Sequence, residues 1–146
     1  MKQKDFDKKD KKINKLIQNS KLTDSYGRKF IIAYVTNTKV SSVDPLNFKL
    51  KNTCKIKPTK IALFRQDSGF SKKYEYQEFS KKSDNLLSKT YRIENSFLFN
   101  NIFLTYEECY EKYLNDLKIA HAIIDKKINE LKELKEELWL LKDTNI

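Results

Sequence analysis

The stretch from Thr105 to Asp143 contains no glycine and no proline, and this constrains the chain more than any other feature. Gaps of three and four separate Tyr110, Leu114, Leu117, His121, Ile124, Ile128, Leu131, Leu134, Leu138 and Leu141. Such spacing lays one stripe along an α-helix and reads as a heptad-like, coiled-coil seam. The start of the helix is marked by a capping box, with Thr105 as N-cap and Glu108 three residues on. Leu104 and Cys109 occupy the positions of a hydrophobic staple. At ~1.5 Å per residue the helix would run to ~60 Å. A compact domain of this size has a radius of gyration of only ~15 Å. The helix is therefore expected to overhang the fold, bend back on itself, or pair with another chain.

Charge divides the chain into three parts. Residues 1–21 carry a net +5, residues 22–104 a net +8, and residues 105–146 a net −3. We read these as a basic N-terminal arm or short helix (1–21), a small antiparallel β domain (22–104), and a long interaction or oligomerisation helix (105–146). A basic body with an acidic helix suggests a polyanionic partner. Lysine-rich composition alone offers a competing explanation of the charge. The chain has no apolar run long enough to span a membrane, and its charged start lacks the apolar core of a signal peptide. Cys54 and Cys109 form no CxxC pair. Two reduced thiols in a cytoplasmic protein are expected, with a disulfide between them as the alternative.

Within 1–21, Phe6, Ile13, Leu16 and Ile17 fall at helical spacing, which suggests a short amphipathic helix around Asp10–Gln18. A disordered basic arm is the alternative. From residue 22 on, apolar runs alternate with turn signals. Strands are expected at Lys29–Thr36, Lys60–Arg65, Tyr74–Phe79 and Lys89–Ile93. Asn47–Lys51 and Cys54–Lys57 alternate apolar residues with lysines and could form a hairpin that Pro58 ends. Ser96–Leu104 is strongly apolar and runs into the helix cap. The pattern implies an α+β fold built on a small antiparallel β-barrel or curved sheet, SH3-like or OB-like, with no helix between its strands.

Motifs for catalysis are missing. No phosphate-cradling glycine loop, GxSxG, HExxH or EF-hand sequence occurs. His121, the only histidine, lies on the helix seam and is expected to pack or set register there. One histidine and two separated cysteines supply no ordinary zinc site. We therefore expect no enzyme, no metal and no cofactor.

Basic groups interleaved with aromatics are the most suggestive constellation. Lys49, Lys51, Lys55, Lys57 and Lys60 form one cluster, and Lys72 and Lys73 precede Tyr74 and Tyr76. Domains of this kind bind single strands by stacking bases on exposed aromatics while lysines hold the backbone. Tyr74 and Tyr76 have a competing role as core residues. On the helix, Leu117, His121, Ile124, Ile128, Leu131, Leu134, Leu138, Trp139 and Leu141 are the expected partner or homodimer interface, with Trp139 widening the apolar tip.

The expected function is non-enzymatic binding of nucleic acid or a nucleoprotein through the basic β domain, with self-association or docking through the helix. The layout of strands leading through IFLTYEEC into a long helix resembles small proteins of phages and other mobile elements. That resemblance implies the alternative, an inhibitor or adaptor that engages a host nucleic-acid-processing protein. A small nuclease is the third reading.

Overall fold

A computed structural model describes residues 2–39, 42–43, 50–51, 54–66 and 73–144, with the side chains of 42, 43, 50, 51, 54 and 142–144 outside that description. In chain order the elements are α1 (Gln3–Gln18), β1 (Phe30–Lys39), β2 (Ser42–Val43), β3 (Leu50–Lys51), β4 (Cys54–Arg65), β5 (Tyr74–Phe79), β6 (Leu86–Ile93), α2 (Asn95–Asn101), β7 (Ile102–Phe103) and α3 (Tyr106–Thr144). The class is α+β, with five antiparallel strands in the order β6-β5-β4-β1-β7. This sheet is not closed: β6 and β7 are its edges, so barrel closure is not established. No helix among the described residues is long and apolar enough to cross a membrane.

Two units compose the chain, Met1–Thr36 with Ile56–Lys112, and Asn37–Lys55 with Tyr113–Ile146. The first holds the main core. Phe6, Ile13 and Ile17 recur on one side of α1 and are buried with Ala33, Val35, Ile61, Leu63, Tyr74, Tyr76, Ile93, Leu98 and Ile102. The helix begins earlier than residue 10 because Phe6 also finds this core. A lysine-dense segment that would be marginal alone is held by burying that stripe.

Polar contacts fix the helices on the sheet. Asp10 of α1 accepts from Tyr74 Oη at 2.6 Å and from Arg65 Nη1 at 2.9 Å. Lys9 closes the end of α2, its Nζ donating to the carbonyls of Phe99 at 2.8 Å and Ile102 at 2.6 Å. The same ammonium lies 5.6 and 5.2 Å from the ring centroids of Phe99 and Phe103. Burial lowers the Lys9 pKa to about 8, against the opposing pull of the Glu108 charge. The buried Asn101 amide donates to Thr36 O at 2.9 Å and ties the end of α2 to β1.

Three local expectations differ from the structure. Pro58 does not end a strand but lies inside β4, which pairs with β5 only from Ile61 onward, so the missing N–H removes no ladder bond to β5. The described part of the 47–51 run, β3, pairs with β2 rather than with the 54–57 run. A helix does separate two strands: the first part of Ser96–Leu104 is α2, placed so that Leu98 reaches the core.

Thr105 caps α3 as expected, the Glu108 N–H donating to Thr105 Oγ1 at 3.3 Å; the Glu108 carboxylate accepts from the Thr105 hydroxyl at 3.1 Å, not from its backbone N–H as a full capping box would have it. Cys109 is buried, and Leu104 packs against the main core. Further along, Asp116 and Ala120 are buried and Tyr113, Ile123 and Lys127 half-buried, again at gaps of three and four. That stripe lies one residue before the expected seam, a rotation of ~100°. Leu117 and Ile124 border it, half-buried, while Tyr110, Leu114, His121, Ile128, Leu131, Leu134, Leu138 and Leu141 are exposed.

Candidate nucleic-acid interface

Strand alternation gives the sheet two faces. Leu63 belongs to the main core under α1 and α2, whereas its neighbours Ala62 and Phe64 join Phe30 in a second cluster on the opposite side. Phe79 and Leu86 pack against this smaller cluster. The Phe30 ring lies 5.3 Å from Phe64 and 6.4 Å from Phe79, tilted and edge-on. Two cations sit over these rings: Lys60 Nζ is 4.9 Å from the Phe79 centroid and Arg28 Cζ 4.6 Å from that of Phe64. Both geometries are within cation–π range.

The two cations differ in availability. Arg28 donates through Nε to Asp24 Oδ2 at 2.9 Å and through Nη1 to Glu75 Oε1 at 2.7 Å. Asp24 Oδ1 also accepts from the N–H groups of Tyr26 and Arg28, at 3.0 and 2.8 Å. Gly27 stands at φ 80 in this turn, a conformation that glycine adopts without a steric penalty. Burial alone would raise the Asp24 pKa, but the hydrogen bonds from Arg28 and Tyr26 outweigh it and hold the carboxyl below its usual range. Arg28 therefore braces the turn. Lys60 is exposed and forms no ion pair among the described residues.

The lysines and tyrosines singled out by sequence separate by face. Ile56 packs toward the main core and its neighbour Lys57 is exposed, while Lys60 lies over the Phe79 ring of the second cluster. Lys55 is also exposed but falls in the second unit, whereas Lys57 and Lys60 belong to the first. Lys49 and Lys72 lie outside the described residues, as does the side chain of Lys51. Lys73 is half-buried, its ammonium 3.9 Å from Asp10 Oδ2, and serves to dock α1. Tyr74 and Tyr76 are only 1% and 3% exposed. Tyr76 stacks on Tyr91 at 4.8 Å and runs parallel to Phe97 at 6.5 Å. Neither ring offers a face to a base, which corrects the expectation of a stacking platform: α1 and α2 cover that side of β5.

Other aromatics are accessible. Tyr34 and Tyr106 meet edge-on at 5.8 Å, and Tyr106 stacks on Tyr110 at 6.0 Å. Tyr34 is half-buried, while Tyr106 and Tyr110 are exposed. The i, i+4 spacing of Tyr106 and Tyr110 in the first turns of the helix was a readable signal for this pair. Nothing local marked Phe30, Phe64 and Phe79, which belong to separate strands.

A cleft of ≈ 550 Å³ opens between the 23–28 turn and the 84–88 segment. Phe30, Phe79 and Leu86 line it together with the polar side chains of Gln77, Asp84, Asn85 and Ser88. Tyr26, 86% exposed, stands on the braced turn beside it. Among the described residues, no three His, Cys, Asp or Glu side chains converge as a metal site would require.

No protein-family model, no curated protein and no solved structure matches this chain.

Proposed function

We propose that this chain is a non-enzymatic, cytoplasmic binding protein that contacts single-stranded nucleic acid, or a nucleoprotein containing it, through the sheet face opposite the main core. The observation that carries the reading is the exposed Lys60 ammonium over the Phe79 ring, with Lys57 also exposed on the same strand. A polyanion gains charge neutralisation from such lysines, and its bases gain aromatic surface. An SH3-like or OB-like form of the β domain belongs to this same reading, since those domains bind strands across one sheet face. Self-association through the exposed seam of α3 completes it.

The test is binding of labelled single- and double-stranded oligonucleotides across a salt series. Affinity should fall steeply with salt. Lys57→Glu with Lys60→Glu should weaken binding and flatten the slope by ~1 for each phosphate that is no longer neutralised. No binding at low salt would overturn the reading. A second reading, a small mobile-element-encoded inhibitor or adaptor, is favoured by one feature. Leu138, Trp139, Leu140 and Leu141 are exposed in succession near the end of α3, and patches of this kind anchor protein partners. One tight protein partner, no longer bound after Trp139→Ala, would support it.

A further inference from the structure

We infer that the cleft beside Tyr26 holds one unstacked base of a bound single strand and favours a base that carries an exocyclic amino group. The inference rests on the nucleic-acid reading above and deepens it. Its first ground is shape. The cleft volume of ≈ 550 Å³ lies within the ~300–1,000 Å³ typical of ligand sites. Phe30 and Phe79 provide apolar lining, and Tyr26 presents a ring that is almost wholly exposed. Exposed tyrosines are ordinarily mobile, but this one sits on a turn closed by three donors to Asp24, the N–H groups of Tyr26 and Arg28 and the Arg28 Nε. A turn whose backbone is already fixed loses little further conformational entropy when a base arrives on its ring.

Its second ground is polar chemistry. The Gln77 amide donates through Nε2 to Thr90 Oγ1 at 3.0 Å, which leaves Oε1 as the acceptor of a side chain that lines the cleft. The exposed Asp84 carboxylate, which also lines the cleft, accepts hydrogen bonds only and repels phosphate. Arg28 lines the cleft as a donor, but its Nε and Nη1 are directed to Asp24 and Glu75; the Gln77 and Asp84 acceptors suit an exocyclic amine, such as cytosine N4, and meet a carbonyl unfavourably at the same position in thymine. The phosphate belongs instead beside Lys60, whose ammonium lies over the same Phe79 ring that lines the cleft. Rings for the base, acceptors for its edge and a cation for the backbone thus adjoin one another on one side of the sheet.

The experiment uses the full chain with twelve-residue oligo(dC) and oligo(dT), and with oligo(dC) carrying a single 2-aminopurine as a fluorescent stacking probe. The wild type should bind oligo(dC) about 5- to 10-fold more tightly than oligo(dT) and quench the probe. Tyr26→Ala should abolish the quench and weaken oligo(dC) binding by about 10-fold. Asp84→Ala should strengthen binding of both strands and shrink the difference between them. Tyr26 and Asp84 are exposed, so neither variant threatens the fold. Equal affinity for the two strands with no quench, at retained salt-sensitive binding, would overturn the base site and leave the interface standing. No binding of either strand at low salt would overturn both.

Discussion

The Tyr74 hydroxyl donates to Asp10 Oδ1 at 2.6 Å, across a sequence separation of 64 residues. Burial first, and then this hydrogen bond and the Asp10 charge, push the Tyr74 pKa well above its ordinary value, although Arg65 opposes the shift. Arg65 adds a bond from Nη1 to Tyr74 Oη at 2.8 Å and places its guanidinium 5.1 Å from the Tyr74 ring centroid. A tyrosine whose alternation suggested a ligand platform is thus the pin that holds α1 on the sheet.

Removing that pin should be measurable. Tyr74→Phe deletes one hydroxyl while Asp10 keeps Arg65, and should cost ~1 kcal/mol. Asp10→Ala removes the acceptor shared by Tyr74 and Arg65, and should cost ~2–3 kcal/mol. In a double-mutant cycle the two should couple by at least ~0.5 kcal/mol. Urea unfolding with an unchanged m-value gives the comparison, and strict additivity would show that the contact contributes nothing.

Lys9 makes stability depend on pH in a defined window. Its folded pKa of about 8 lies below the ordinary 10.5. Between those values the unfolded chain binds the extra proton, so the Lys9 contribution to stability rises with pH. Lys9→Met has no such group. The wild type should gain on this variant from pH 8 to 10.5, by on the order of 1–3 kcal/mol once the water left around a half-buried ammonium is discounted. A stability difference that stays flat across the window would contradict the burial of the ammonium.

Cys109 should be a slow thiol in the native protein. Burial pushes its pKa up to about 11, and the thiolate is the reactive species. Iodoacetamide at pH 8 should label the Cys109 peptide ~100-fold more slowly in the folded chain than in urea. Mass spectrometry of the digested protein separates this site from Cys54. Comparable rates in the two states would mean that the start of α3 opens readily.

The seam of α3 bears on self-association. Leu131 and Leu138 are exposed, and the buried stripe of the helix lies one residue away from the seam positions. If a second copy covers the seam, light scattering at micromolar concentration should give a dimer mass for the wild type. Leu131→Asp with Leu138→Asp should give a monomer with unchanged helix content. A wild-type monomer would remove self-association from the proposed function.

Much of the architecture was readable in the residues themselves. The absence of glycine and proline after Thr105 determined a helix as long as α3, and the Thr105–Glu108 pair marked its start. Alternation marked β5 from Tyr74 to Phe79, and of the helically spaced Phe6, Ile13, Leu16 and Ile17 all but the exposed Leu16 lie on the buried side of α1. These are local properties, set by backbone geometry and side-chain period. Tertiary structure decided which side each element covers. Periodicity states that Tyr74 and Tyr76 share a face, but only the docking of α1 and α2 makes it the inner one. The same limit explains the helix. Its heptad spacing admits two stripes one residue apart, and packing chose Asp116 and Ala120 over Leu114 and His121. The Arg28–Glu75 pair and the Phe30–Phe64–Phe79 cluster join residues far apart in the chain, so no local pattern could announce them. The candidate interface is made of just such contacts, which arise from long-range packing.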